Sequence, residues 1–428
     1  MERILCFPLI FSAMIFSQCS KPQPENPGDP PGNGHGNGGG GGRQNGAPMP
    51  KGTPNGKVYS KKIGMAGGTI EYPGARLTIN IPAGAVDQET EFFIQPITNT
   101  APGGKGIAYR LQPEGVTFRK PATLKFRYTA DDLQATFAAA LGIATQKADG
   151  AWYGLGAIQN EAAKTLEVKT THFSDWSFFE AISLEPGMSA ADPGQQVPLV
   201  VKCVLPGDDD LLVPLTKEGQ ETALLDPKTH LDAKFIEKWT LLGTGQLAST
   251  GNSAKYTAPA KIPATNPVVV SVNVKSNGRA VGILIARVFV APEGISVSIA
   301  GGDYTTYGNS GGRVTTGESF ATAQQGGVTA SVKWQGKTTG QFSWDATNIL
   351  FLLNIGTTKT YAQVYNSGGK AVPSPGKLHV VETGNFGWML GSFELEKSGY
   401  YIFSTPPTMG TTKINGYFRV KRLNIGTE

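Results

Sequence analysis

Apolar side chains recur on every second position in Leu77-Thr-Ile79-Asn-Ile81 and again in Leu124-Lys-Phe126-Arg-Tyr128. A period of two buries one face of an extended chain and wets the other, the pattern of a strand in a two-layered sheet. The same texture runs from Lys57 to the end of the 428-residue chain, in short runs cut by 56 glycines and 29 prolines. Pro82-Ala-Gly84 and Pro113-Glu-Gly115 supply the fixed and positive φ values that reversals need. One helix is predicted, because Thr129-Ala-Asp-Asp132 has capping-box spacing and LQATFAAALGI follows it. The predicted fold class is therefore all-β. At ~100 to 200 residues per domain, the length accommodates tandem β-sandwiches.

The amino terminus departs from this texture. Ile4 to Ser17 (ILCFPLIFSAMIFS) is apolar and follows Arg3, yet falls short of the ~20 residues a bilayer-spanning helix needs. It reads as a secretory leader. The leader ends in Phe16-Ser17-Gln18-Cys19, which resembles a bacterial lipoprotein signal peptide, with Phe16 and Gln18 in place of the usual Leu and small residue. The resemblance implies removal of 1–18, acylation of Cys19 and attachment to a membrane through that lipid anchor. It places the protein in the cell envelope, as an outer-membrane lipoprotein facing the periplasm or the outside. Residues 19–56 are rich in Gly and Pro with almost no aliphatic side chain, so nothing offsets the entropy of ordering them. They are expected to form a disordered tether.

Residues 57–180 make the first predicted sandwich. Gly67-Gly-Thr-Ile70, LTINIPAGAV from Leu77, TEFFIQPI from Thr90, YRLQPEGVTFRKPATLKFRY from Tyr109 and THFSDW from Thr171 resemble the ZU-five domain of zonula occludens proteins, netrin receptors and ankyrins. The resemblance implies a β-sandwich used for interaction or as a spacer. In some relatives a His-Phe-Ser sequence cleaves itself, and His172-Phe173-Ser174 matches it residue by residue. Ser174 Oγ would attack the Phe173 carbonyl while His172 takes the hydroxyl proton. Alternatively, Phe173 and Trp176 are core residues of a closing strand.

Residues 181–291 form a second predicted sandwich. Its clearest local signal is Ser276-Asn277-Gly278 between PVVVSVNV and AVGILIARVFV, a tight hairpin of type I′. Trp239 to Leu247 followed by Tyr256-Thr-Ala-Pro259 resembles bacterial immunoglobulin-like repeats, which implies a stalk module. Cys203 alternates with Leu199, Val201 and Leu205 and reads as a small buried hydrophobe. Lys228 and His230 read as loop. Gly207-Asp-Asp-Asp210 lacks the Gly and Glu spacing of a calcium loop and reads as a solvated turn.

Residues 292–428 form a third β domain, loosely resembling the carboxy-terminal modules of other Gram-negative lipoproteins. It is rich in aromatics, among them Trp334, Trp344, Trp388, Phe386, Tyr400, Tyr401 and Phe403. Exposed rings there would stack on sugars or anchor a protein; buried ones would fill the core. Gly340-Gln-Phe-Ser and Gly391-Ser-Phe-Glu correspond in pattern.

Several function classes lack support. The histidines at 35, 172, 230 and 379 have no metal-ligand spacing, and a net charge of +5 over the whole chain does not suggest nucleic acid. No P-loop and no HExxH motif occurs. No catalytic or metal residue and no cofactor is therefore predicted. The leading expectation is a membrane-anchored, non-catalytic protein that acts in adhesion, interaction or spacing, with a protein or polysaccharide as ligand. Two alternatives stand beside it: glycan binding through Trp334, Trp344 and Trp388, and self-cleavage at Phe173/Ser174.

Overall fold

The computed structural model describes residues 46–423 apart from 75, 207–212, 216–218, 220, 385 and 386. The leader 1–18, Cys19, the tether up to residue 45, the acidic run from Gly207 to Asp210 and Phe386 lie outside the described residues. Elsewhere the chain is all-β, with single turns of 3₁₀-helix and sheets that are antiparallel except where Met188–Ala191 pairs in parallel with Arg279–Val290. Among the described residues no helix is long and apolar enough to cross a membrane.

In the first domain a seven-stranded sheet runs in the order Tyr59–Ile63, Thr90–Ile97, Ala108–Gln112, Asp175–Glu180, Leu141–Gln146, Trp152–Leu155, Glu221–Ala223. It packs on a five-stranded sheet ordered Gly68–Glu71, Leu77–Ile81, Thr117–Arg127, Thr165–His172, Ile158–Asn160. The period of two is realised as drawn from sequence. Leu77, Ile79 and Ile81 are buried between the layers, as are Leu124, Phe126 and Tyr128, and the residues between them face outward.

The predicted helix does not form. Asp131–Leu133 and Ala138–Ala140 are 3₁₀ turns, and Leu141–Gln146 is a strand with all six residues buried. Asp132 does accept from the Thr129 amide at 2.7 Å, but it also holds Arg76 at 3.0 Å, so it fastens a loop and starts no helix. Strand 141–146 pairs with Asp175–Glu180 on one side and Trp152–Leu155 on the other. Two ladders and full burial outweigh a helix propensity of tenths of a kcal/mol per residue.

The second domain has one sheet ordered Ile182–Glu185, Gln196–Cys203, Ser253–Thr257, Gln246–Thr250 and another ordered Met188–Ala191, Arg279–Val290, Val268–Ser276, Ile236–Leu242. Asn277 and Gly278 turn the hairpin with φ of 48° and 73°, the doubly positive pair a type I′ turn requires. In the third domain an eleven-stranded sheet folds over, and Gly312 on its edge strand bridges Arg422 at the end of the last strand. Ile414, Phe418 and Val420 point into its core.

Residues 46–56, read from sequence as the end of the tether, lie along the first domain. Met49 exchanges backbone contact with Gly150 at 2.9 Å, Gln146 Nε2 donates to the Met49 carbonyl at 2.9 Å, and Arg110 Nη2 donates to the Gly52 carbonyl at 3.1 Å. These side-chain donors lie some 60 to 100 positions away, so no local signal reveals them.

Candidate functional site

Three places are candidates: the His-Phe-Ser tripeptide, the tryptophans of the third domain and the joints between domains.

At the tripeptide, the chain leaves one sheet of the first domain at His172 and enters the other at Asp175. A bulge between Thr170 and His172 precedes the crossing, with Thr170 Oγ1 donating to the His172 carbonyl at 2.7 Å. Phe173 drops into the core, edge-on to Phe118 at 5.0 Å and Phe92 at 5.6 Å. Ser174 is fixed at both ends. Its carbonyl accepts from the Leu111 amide at 2.9 Å, and its hydroxyl shares a hydrogen bond with Thr145 Oγ1 at 2.6 Å. Asp175 follows, clamped in two bonds of 2.7 Å by Arg110, whose guanidinium is pushed up chiefly by that hydrogen bonding. The His172 ring is exposed and lies 6.3 Å from Trp176. Among the described residues no hydrogen bond joins the imidazole to Ser174. A cavity of about 300 Å³ opens here between Thr145, Thr170, His172, Trp176 and Glu221. The tripeptide therefore places a hydroxyl and an imidazole near one another, with the hydroxyl engaged by threonine.

The tryptophans correct the sequence reading. Trp334 is fully buried and Trp344 nearly so, so neither offers a ring to a ligand. Alternation explains the first: Ala330, Val332 and Trp334 share the inner face of strand Val328–Gln335, and Trp334 stacks on Phe418 at 5.7 Å. Trp344 is held inside by its own donor, since Nε1 gives a hydrogen bond to the Glu394 carbonyl at 2.8 Å. Trp388 is half-buried, with one face covered by the Arg419 guanidinium at 4.6 Å. It belongs to a small apolar cluster with Phe289 and Ala291 of the second domain and Leu390 of the third.

That cluster is one of two buried joints. In it Arg419 Nη1 donates to the Ala291 carbonyl at 2.7 Å and to Asp192 at 3.0 Å, and Tyr417 donates to the Pro263 carbonyl at 3.3 Å. The other joint merges two cores. Ile97, Trp152 and Phe179 of the first domain pack in the same cluster as Val201, Val270 and Leu284 of the second. The second domain also lends strand Glu221–Ala223 to the first domain's sheet. Lys228, read from sequence as a loop residue, reaches Glu180 at 3.0 Å and Glu185 at 2.7 Å, while Lys105 holds Glu180 from the other side at 2.8 Å. Burial pulls the Lys228 ammonium down, but the two glutamates outweigh it and the net displacement is upward. His230 lies in a two-residue strand beside Lys202. Neither Arg419 nor Lys228 carries a motif; they matter through partners far away in sequence.

Cys203 is buried, and desolvation pushes its thiol up to about 11, against the thiolate that reactivity requires. Among the described residues no three His, Cys, Asp or Glu side chains group as metal ligands. No protein-family model matches the chain, and no curated protein matches it.

Proposed function

We propose that the protein is a non-catalytic component of the cell envelope, tethered through a lipid on Cys19, whose β domains act together as an interaction or spacer body. The observation that carries this reading is the pair of buried joints. Flexible strings of modules meet through small polar contacts and are expected to move independently. Here a merged apolar core, a donated strand and a buried arginine hold the three domains. Such a body transmits position from an anchored end to a far end. The segments that resemble the ZU-five domain fall on strands of the two packed sheets of residues 57–180, which supports the interaction-module reading of that part.

Two chains of fatty acid suffice to hold such a body on a membrane, at about 0.8 kcal/mol per buried methylene. Metabolic palmitate labelling with detergent phase partitioning tests the anchor. Label and partitioning are expected in the native protein and absent after Cys19→Ser. A freely secreted, unlabelled product would overturn the reading. Protease treatment of intact cells distinguishes surface display from a periplasm-facing position.

A further inference from the structure

The two segments that correspond in pattern, Gly340-Gln341-Phe342 and Gly391-Ser392-Phe393, flank strand Lys377–Thr383 in matching register. Gly340 and Gly391 both pair with Val380, Gln341 and Ser392 both pair with His379, and Phe342 and Phe393 both pair with Leu378. The inner side of this three-strand patch is apolar, with Leu378, Val380 and Phe393 buried. Strand alternation therefore sends Gln341, His379 and Ser392 outward together. The row continues, because Ser392 pairs with Tyr417 on the last strand. Four neighbouring strands at about 4.8 Å spacing give it a length of roughly 14 Å.

This row floors a concavity of about 540 Å³, within the range of small-molecule sites. Tyr304 and Tyr417 wall one side, their rings tilted at 57° with centroids 5.4 Å apart, and Ala264 of the second domain closes over them. Tyr304 is 38% exposed. Lys377, Glu394 and Asn415 line the concavity as well, with Glu394 paired to Lys413 at 2.6 Å. Among the described residues the side chains of Gln341, His379, Ser392 and Asn415 make no hydrogen bond to any protein group. Their donors and acceptors are thus unspent, in a partly enclosed site beside an exposed aromatic face.

We propose that this concavity binds a neutral saccharide. An amide, an imidazole and a hydroxyl each donate and accept, as sugar hydroxyls do, so they can exchange bound water for ligand without leaving an unpaired group. The Tyr304 ring offers the flat apolar surface on which the C–H face of a pyranose packs. A neutral ligand is favoured because the lining carries one cation, Lys377, and one carboxylate, Glu394, so its charges balance. The row is long enough for a short run of rings. The site owes nothing to Trp334, Trp344 or Trp388, and the proposal goes beyond the tethering reading without depending on it.

Affinity electrophoresis of the full-length protein in mild detergent, through gels containing soluble starch, galactomannan, arabinoxylan or laminarin, tests the site. At least one polysaccharide is expected to retard the protein. Tyr304→Ala and His379→Ala are each expected to weaken that binding about tenfold or more, as loss of a central contact does, with the thermal transition retained. If Tyr304→Ala fails to fold, Gln341→Ala at the exposed end of the row takes its place. Tyr401→Ala, in a separate aromatic groove with Tyr365 and Tyr400, is expected to change nothing. Absence of retardation by all four polysaccharides overturns the proposal. Retardation that survives both substitutions, or that only Tyr401→Ala removes, overturns it as well. None of these results bears on palmitate labelling at Cys19, so failure of the site and failure of the anchor are told apart.

Discussion

Arg419, on the last strand of the third domain, gives one guanidinium nitrogen to two groups of the second domain, the Ala291 carbonyl at 2.7 Å and Asp192 at 3.0 Å. The two acceptors are not equivalent. Arg419 is buried, whereas the Asp192 side chain is 56% exposed. Removing the buried donor strands a carbonyl and uncovers the face of Trp388. Arg419→Ala is therefore expected to cost about 3 kcal/mol, and Asp192→Ala less than about 1 kcal/mol. Denaturant unfolding of both variants checks the order. Equal costs would show that the ion pair, and not the carbonyl bond, holds this joint.

At the other joint the expected signature is in pH. The net displacement of Lys228 is upward, so its folded-state value lies above the unfolded one, near 10.4. The stability it contributes is fully present below that unfolded value and is lost as pH rises through the folded one. Lys228→Met is expected to lower stability by about 2 to 4 kcal/mol at neutral pH, because Glu180 and Glu185 lose a shared cation. The gap between native and variant should stay level from about pH 6 to 9 and shrink above about 10.5. Unfolding free energies measured across that range decide it. A gap that closes below pH 9 would contradict the upward displacement.

Two buried tryptophans of the third domain make a matched pair of tests. Trp334 Nε1 is buried without a hydrogen-bond partner, while Trp344 Nε1 donates to Glu394. Trp334→Phe removes an uncompensated donor, which offsets part of the cost of the smaller ring, and is expected to cost about 1 to 2 kcal/mol. Trp344→Phe leaves the Glu394 carbonyl unpaired and is expected to cost about 1 to 3 kcal/mol more. Melting curves of the two variants, read against each other, test the assignment.

Ser174 carries the sharpest chemical prediction. With its hydroxyl held by Thr145 and no imidazole bonded to it, the purified chain is expected to give one mass, uncut between Phe173 and Ser174. Intact mass spectrometry measures this directly. Two fragments meeting at that bond, abolished by Ser174→Ala, would establish self-cleavage.

Much of the fold was legible because its signals are local. The alternation at 77–81 and 124–128 and the Asn277-Gly278 turn each lie within a few residues, and each is realised in the structure. The helix expected after Thr129 was a local signal too, and it lost to two ladders, one of them formed with residues 29 to 39 positions away. The site was less legible. Trp334 and Trp388 look alike in sequence, yet alternation buries the first and a neighbouring domain covers the second. Arg419 sits on the face that alternation assigns to water, and only a partner 128 positions earlier explains its burial. The register that aligns Gln341, His379 and Ser392 depends on which strands become neighbours, and composition does not encode that order.

The strand Glu221–Ala223 has a consequence for how the chain comes into being. It caps the free edge of Trp152–Leu155, yet it emerges from the ribosome some 65 residues later, at roughly 5 to 20 residues per second. For those seconds the first domain exposes an unpaired row of amides and carbonyls, the kind of margin that recruits stray strands. A nascent chain crossing a membrane in extended form would not yet present that margin. Export before folding would thus protect an unfinished edge that premature collapse would leave open.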